Sequence, residues 1–259
     1  MRAAVVEALG RRTLEFVQHL GCIAVFAGEI VWKTLGPPYR VRKLVGEIFD
    51  VGVLSLAIVC LSGATVGAVL GLQGYTTLAR FGAEGSLGAV VGLSLVRELG
   101  PVLTALLVTG RAGSAMAAEI ASMVRTEQLD GLRMMSIDPM DFVVAPKALA
   151  MLLVMPLLNA LFIVLAFFGG YVVGVQLLGL DGGTYLTGLE SSIDFGEDVL
   201  GSLLKAVVFG AMVGLIATYR GYISEPTSAG VSAATTGTVV VTSVSILIVD
   251  YAITAMWGL

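Results

Sequence analysis

Charged residues, histidine and cysteine are all scarce in this chain. Of its 259 residues only 13% are Asp, Glu, Lys or Arg, and it has one histidine and two cysteines. A water-soluble domain carries about a quarter charged residues, and this chain has too few to cover a soluble surface. Since 57% of its residues are hydrophobic and the mean hydropathy is +0.94, the composition predicts an integral membrane protein, and its long apolar runs predict an all-α fold.

Several catalytic motifs are also missing. No G-x-x-x-x-G-K-[ST] phosphate loop, HExxH or GxSxG sequence occurs, so the chain has neither its own ATPase site nor a hydrolase nucleophile site. Cys22 and Cys60 are far apart and are interpreted as buried thiols with no metal site. The net charge of −4 and the absence of a sustained basic stripe exclude a nucleic-acid partner. We expect a non-enzyme that binds no cofactor itself.

Five stretches are long and apolar enough to cross a bilayer, which takes about 20 residues. The second is the least apolar, because it contains two arginines and two glutamates. The predicted spans are Val51–Leu72, Leu93–Ile120, Ala148–Leu178, Val199–Tyr219 and Gly237–Trp257.

The distribution of Lys and Arg predicts the orientation, because basic residues favour cytoplasmic segments. Eleven precede the first span or lie in the loops after the second and fourth spans: Arg2, Arg11, Arg12, Lys33, Arg40, Arg42, Lys43, Arg125, Arg133, Lys147 and Arg220. On the other side only Arg80 is clearly present, and the loop 179–198 has none. The N-terminus is therefore expected in the cytoplasm and the C-terminus in the periplasm.

The first 46 residues differ from the rest. Apolar residues from Val5 to Leu20 recur at helical spacing among charged ones, which predicts an amphipathic helix in the cytoplasmic membrane interface. Gly36-Pro37-Pro38 is expected to break the helix. We therefore divide the chain into an interfacial region, 1–46, and a five-span domain, 47–259.

Gly63, Gly67 and Gly71 recur every fourth residue in the first span and so share one helix face. Such a face allows close helix packing. The sequence leaves open whether it packs within the chain, against another subunit or against a substrate.

Ionisable residues at membrane depth are costly and usually face protein or water. Arg97 and Glu98 precede Pro101, where the second span is expected to start or kink, and form either a polar site or a local helix-start salt bridge. Lys205 and Asp250 fall at similar depth in antiparallel spans, which predicts an intramembrane charge pair.

A short amphipathic helix is predicted at about 124–137, with Thr126 as its N-cap and Asp138-Pro139 after its end. Leu129 and Leu132 share its apolar face. Such a helix suits a protein partner, and a solvated loop that touches lipid headgroups is the alternative.

Several ordered motifs resemble the MlaE permease family across essentially the whole chain. They are Leu70–Tyr75, Arg97–Leu107, Gly110–Ala115, Ala118–Ile120, Thr126–Asp130, Ser136–Pro139, Pro226–Val231 and Ala233–Thr236. The resemblance implies that the chain is the permease subunit of an ABC transporter in the inner membrane of a Gram-negative bacterium. This transporter would move phospholipids between the inner membrane and a periplasmic partner and so maintain the lipid asymmetry of the outer membrane.

The resemblance also implies partners. They are a second copy of the permease, a cytoplasmic ATPase that binds ATP and Mg, a STAS-domain regulator and a periplasmic ring of MCE-domain subunits. The 124–137 helix would then be the coupling helix that docks into the ATPase, through Arg125, Thr126, Glu127, Gln128, Leu129, Asp130, Leu132 and Arg133.

The substrate needs apolar walls with polar groups at the rim. The pocket candidates are Leu70, Leu78, Phe81, Arg97, Glu98 and Leu99, which would lie together if Tyr75–Phe81 folds back. A secondary transporter or channel, and a non-transporting membrane scaffold, are the alternative functions.

Overall fold

A computed structural model describes residue 18, residues 21–34 and residues 40–257 of the chain. Within these ranges the secondary structure is helical, with no β-strand. Helix α1 covers residues 21–34. Most of the predicted amphipathic helix and the whole Gly36-Pro37-Pro38 break lie outside the described residues.

Five long helices are apolar enough to cross a membrane in the described part of the chain, which confirms the predicted number of spans. Two shorter helices join them. In chain order the helices after α1 are α2 (Val41–Ala79), α3 (Glu84–Arg125), α4 (Gln128–Met134), α5 (Met140–Leu177), α6 (Gly182–Ser192), α7 (Phe195–Tyr222) and α8 (Ser228–Trp257).

Four of the five long helices, α2, α3, α5 and α7, contain wider, π-helical turns, which often occur at functional sites. One of them, Leu95–Leu99, lies just before Pro101 in α3. The helix therefore continues through Pro101, so of the expected start or kink at that residue the start is excluded. The π-helical turn instead accommodates the proline, which has no backbone N–H to donate.

The glycine face of α2 packs within the chain, against the backbone of α5. A Cβ at Gly67 would collide with the carbonyl of Ala166, and one at Gly63 would lie only 2.7 Å from the carbonyl oxygen of Phe162. Gly169 of α5 makes the reciprocal approach to α2. Among the three interpretations of this motif, the structure favours helix packing inside one subunit.

The bundle has two ends, which we name by what lies there. The α4 end holds α4 together with the C-terminal ends of α3 and α7 and the N-terminal ends of α2, α5 and α8, as contacts such as Arg40–Asp141 and Arg125–Ser228 show. The opposite end holds α6, and we call it the cavity end because a cavity opens there.

The two cysteines are more accessible than expected. Cys22 is exposed and Cys60 half-buried, so the expectation of two buried thiols is wrong.

Candidate functional site

A cavity of about 350 Å³ opens between α3, α7 and α8 at the cavity end, and we call it the α3–α7–α8 cavity. Its charged lining residues are Arg97, Glu98, Glu197, Asp198 and Lys205. Hydroxyl groups of Ser94, Ser202 and Thr254 and the apolar Leu93 and Ile253 complete most of its wall. A mixed charged and apolar lining suits an amphipathic ligand.

Lys205 of α7 is the most fully paired group in this cavity. Its side chain is 7% exposed, and its Nζ lies 3.1 Å from Glu98 Oε1 and 3.0 Å from Asp250 Oδ1. It also donates to the Thr254 hydroxyl at 2.7 Å. The structure thus brings the predicted charge pair Lys205 and Asp250 together and adds Glu98 to it.

The backbone of α3 contributes one more acceptor to Lys205. In a regular α-helix the N–H of residue 101 would donate to the carbonyl of residue 97. Pro101 has no N–H, and Lys205 Nζ donates to the Arg97 carbonyl at 2.8 Å instead. Pro101 therefore leaves the Arg97 carbonyl available as a backbone acceptor for Lys205, and it does not start a helix.

Arg97 pairs with Asp198 on the other side of the cavity. Arg97 Nε lies 2.5 Å from Asp198 Oδ1; the Asp198 side chain is 4% exposed, whereas that of Arg97 is 55% exposed. Asp198 also accepts the backbone N–H of Asp194, and Asp194 caps the first turn of α7. The local capping chemistry of α7 thereby places Asp198 opposite Arg97.

The predicted pocket residues divide into two groups. Arg97 and Glu98 line the α3–α7–α8 cavity. The other candidates are not part of its lining: Leu70, Leu78 and Leu99 are partly buried against the main core, and Phe81 is 80% exposed. Residues 75–79 continue α2 as helix, so the condition that Tyr75–Phe81 folds back is not met.

Sequence reasoning missed the contribution of Asp198, Glu197 and Thr254 to the cavity. Asp198 and Glu197 stand at the start of an apolar run, directly after an acidic loop. Carboxylates at the first turn of a membrane helix are a usable signal, because they suit the positive end of the helix dipole. Thr254 carries no such signal, since threonine is common in the last span.

The predicted coupling helix is present as α4, although it is shorter than expected. Leu129 is 5% exposed and Leu132 is half-buried, so both pack towards the bundle, whereas Arg125, Thr126, Glu127, Gln128, Asp130 and Arg133 are exposed. The predicted N-cap is wrong. Thr126 is instead the C-cap residue of α3 and donates to the Ser122 carbonyl, while Glu127 precedes α4 with a φ of 57°.

One hydrogen bond joins α4 to a long span. Arg133 donates to the Tyr222 hydroxyl at 2.7 Å and to Asp130 Oδ1 at 2.7 Å. Tyr222 ends α7 and packs against Phe26 of α1, with ring centroids 5.6 Å apart. The exposed surface of α4 is therefore linked directly to the helix that carries Lys205 and Asp198 at its other end.

A second buried lysine lies near the α4 end. Lys147 Nζ of α5 lies 2.7 Å from Glu47 Oε2 of α2 and 2.8 Å from Glu119 Oε2 of α3. Arg111 of α3 is not part of this group, because it donates to the Asp50 carbonyl and to the Ser55 hydroxyl. We call Lys147, Glu47 and Glu119 the Lys147 triad.

The chain is similar to proteins of one family over nearly its whole length. The family model described as permease MlaE matches residues 44–256. The intermembrane phospholipid transport system permease protein MlaE of Haemophilus influenzae is 45% identical over 255 residues, which are 97% of this chain and 96% of that protein.

More distant relatives cover similar lengths. A probable ABC transporter permease protein of Rickettsia felis is 40% identical over 98% of this chain and 97% of its own length. The chloroplastic protein TRIGALACTOSYLDIACYLGLYCEROL 1 of Arabidopsis thaliana is 28% identical over 91% of this chain and 67% of its own length. With five candidate spans and these matches, the chain is a multi-pass membrane protein that belongs to the MlaE permease family.

Proposed function

We propose that the chain is the membrane-spanning permease subunit of an ABC transporter that moves phospholipids between the bacterial inner membrane and a periplasmic partner. The observation that carries this proposal is the family match over residues 44–256 together with a phospholipid-transport relative at 45% identity. A homodimer, a cytoplasmic ATPase with ATP and Mg, a STAS-domain regulator, an MCE-domain ring and a role in outer-membrane lipid asymmetry complete the proposal, and they rest on the family resemblance.

The orientation in this proposal follows from charge. Eight of the basic residues that the structure describes lie near the α4 end: Lys33, Arg40, Arg42, Lys43, Arg125, Arg133, Lys147 and Arg220. Arg80, Arg97 and Lys205 lie towards the cavity end. Because basic residues favour the cytoplasmic side, the α4 end faces the cytoplasm and the α3–α7–α8 cavity faces the periplasmic leaflet.

Helix α4 is the proposed docking element for the ATPase. Its buried Leu129 fixes the helix to the bundle, while Met134 is 90% and Met135 64% exposed next to it. Flexible methionines surrounded by charged residues suit an adaptable protein contact. Glu127 and Asp130 are both exposed on this surface, and Asp130 pairs with Arg133 of the same helix.

Helix α7 is the proposed mechanical link between the two ends. ATP-driven closure of the ATPase pair moves α4, and the Arg133–Tyr222 hydrogen bond passes this movement to α7. Lys205 lies 17 residues earlier in α7, about 26 Å away along a straight helix. A tilt of α7 therefore moves Lys205 and Asp198 in the cavity wall and changes the shape of the lipid site.

Co-purification tests this proposal. The tagged protein is solubilised gently from its native membrane, beside a Glu127→Lys/Asp130→Lys variant, and attached proteins and lipids are identified by mass spectrometry. We expect the wild type to carry an ATPase, an MCE-domain protein and phospholipid, and the variant to lose ATPase binding or stimulation. The matched control Glu84→Lys/Glu190→Lys reverses two charges at the cavity end and should retain the ATPase.

A wild-type protein that comes away without an ATPase would contradict the proposal. Ion or solute flux through the purified chain without ATP would then favour a channel or secondary transporter. Retention of the other subunits without lipid transport would favour a scaffold.

A further inference from the structure

The proposed function leaves the phospholipid headgroup open, and the α3–α7–α8 cavity contains groups that discriminate between headgroups. All phospholipids carry a phosphate, but their outer headgroups differ in charge. What a cavity can select depends on the hydrogen-bonding groups that its own residues leave unused. In this cavity the unused donors belong to one cationic side chain, whereas the unused acceptors belong to two carboxylates.

The Lys205 ammonium has no unused donor. It carries three N–H bonds, and four oxygen atoms already surround it within 3.1 Å, from Glu98, Asp250, Thr254 and the Arg97 carbonyl. A lipid phosphate would have to displace one of these partners to reach it. Lys205 is therefore a structural cation of the wall.

Arg97 does have unused donors. Its Nε is engaged by Asp198 Oδ1, while the side chain remains 55% exposed. The terminal guanidinium nitrogens are thus available, and arginine binds phosphate oxygens through parallel N–H donors. This contact fixes the phosphate of any phospholipid and does not select a headgroup.

Two carboxylates provide the unused acceptors. Glu98 receives Lys205 and Thr254 on Oε1 alone and keeps its side chain 41% exposed. Glu197 is exposed at the cavity rim and forms no ion pair among the described residues. The lining as a whole holds two cations, Arg97 and Lys205, and three carboxylates, Glu98, Glu197 and Asp198. Its net formal charge is therefore −1.

We infer that this cavity selects zwitterionic phospholipids with a cationic amine, such as phosphatidylethanolamine, over anionic ones such as phosphatidylglycerol. The phosphate lies against the Arg97 guanidinium, and the ammonium group lies against Glu197 and the unused oxygen of Glu98. An anionic lipid can make the first contact but leaves both carboxylates without a cation. This inference rests on the proposed function, since it concerns the substrate of the same site.

Native mass spectrometry of bound lipid tests the inference. The detergent-free protein is placed in nanodiscs of equimolar phosphatidylethanolamine and phosphatidylglycerol with identical acyl chains. Exposed ion pairs contribute about 0.2–1 kcal/mol, so we expect bound lipid to be enriched about 1.4- to fivefold in phosphatidylethanolamine. Glu197→Gln should bring the ratio towards that of the bilayer. Glu190→Gln, which removes an exposed carboxylate of α6 outside the cavity, should leave the enrichment unchanged.

The outcomes separate this inference from the function on which it rests. Bound lipid in the bilayer ratio, or an enrichment that Glu197→Gln does not reduce, would overturn the headgroup selection while lipid binding stands. If neither lipid is retained and the reconstituted complex transfers none, both the selection and the proposed function fail. Enrichment that is lost in Glu197→Gln and kept in Glu190→Gln supports the selection.

Discussion

The two ends of the bundle each contain a buried lysine between two carboxylates from other helices. At the α4 end Lys147 joins Glu47 and Glu119, and at the cavity end Lys205 joins Glu98 and Asp250. The lysines are equally buried, with side chains 4% and 7% exposed. Their surroundings differ, because Lys205 is also part of the wall of a 350 Å³ cavity.

We therefore expect Lys147 to have a structural role only, and Lys205 to affect both stability and lipid binding. The Lys147 triad connects α2, α3 and α5 next to the helix that we propose as the ATPase contact, and its main effect is to fix the positions of these helices. Lys205, Glu98 and Asp250, which we call the Lys205 cluster, connect α7, α3 and α8. Any change in the geometry of this cluster also changes the cavity. Substitutions at the two lysines should therefore have different effects on stability and on lipid binding.

The largest expected effect on stability is that of Lys147→Met. Removing the lysine leaves the nearly buried Glu47 without its cation and next to Glu119, and breaking a buried ion pair on one side costs about 3–5 kcal/mol. We expect a clear loss of thermal stability of the solubilised protein. Lys33→Met is the matched control, because its pair with Asp138 is well exposed, with side chains 37% and 41% accessible. Equal losses in the two variants would contradict the comparison.

Charge exchange at the other lysine is the next largest effect. Lys205→Asp brings three carboxylates together, since Glu98 and Asp250 remain, and Asp250→Lys brings two ammonium groups together. Both single variants should therefore lose stability and lipid binding. The double variant restores opposite charges and should recover folded protein, as measured by monodisperse elution and thermal unfolding. A double variant that is no more stable than the singles would refute the pairing.

Lys205→Met further distinguishes the two lysines. We expect it to lose retained lipid, whereas Lys147→Met should keep it, because only Lys205 lies in the wall of the cavity. Lipid retained at the wild-type level would remove the functional part of the comparison. Thermal unfolding and lipid analysis on the same preparation give both values.

A smaller effect distinguishes the two carboxylates of the Lys147 triad. The Glu47 side chain is 11% exposed and that of Glu119 is 52% exposed. Since water screens an exposed pair, Glu47→Gln should lower the unfolding temperature more than Glu119→Gln does. The reverse order would show that the triad depends mainly on its solvent-facing half.

The smallest expected effect on stability is that of Asp181→Ala, which removes a carboxylate outside the membrane spans. The Thr184 backbone N–H and hydroxyl hold the pKa of Asp181 below its ordinary value, and Asp181 caps α6. A lowered folded pKa stabilises the protein above the ordinary value of about 4 and loses this contribution as the pH falls through the folded pKa. The unfolding temperatures of wild type and Asp181→Ala should therefore differ slightly at neutral pH and converge in acid.

Hydrophobicity and helix periodicity predict the spans well, because a bilayer requires long apolar helices. The depth of Lys205 and Asp250 could be predicted in the same way, since both lie inside such runs. The Lys147 triad could not, because its members are far apart in sequence and nothing local relates Glu47 to Lys147. The Thr126 cap was wrong since the left-handed backbone at Glu127 separates α3 from α4 one residue later.

The most direct test of the account measures lipid transferred per ATP hydrolysed in the reconstituted transporter, with Tyr222→Phe beside Tyr219→Phe. Both tyrosines pack against Phe26, with ring centroids 5.6 and 5.3 Å away, but the Tyr222 hydroxyl accepts from Arg133. A hydrogen bond to a charged group contributes about 1.5–3 kcal/mol. We predict that Tyr222→Phe keeps ATPase binding while lipid transfer per ATP falls about tenfold, and that Tyr219→Phe retains the wild-type ratio. An unchanged ratio in Tyr222→Phe would contradict the coupling of the two ends through α7.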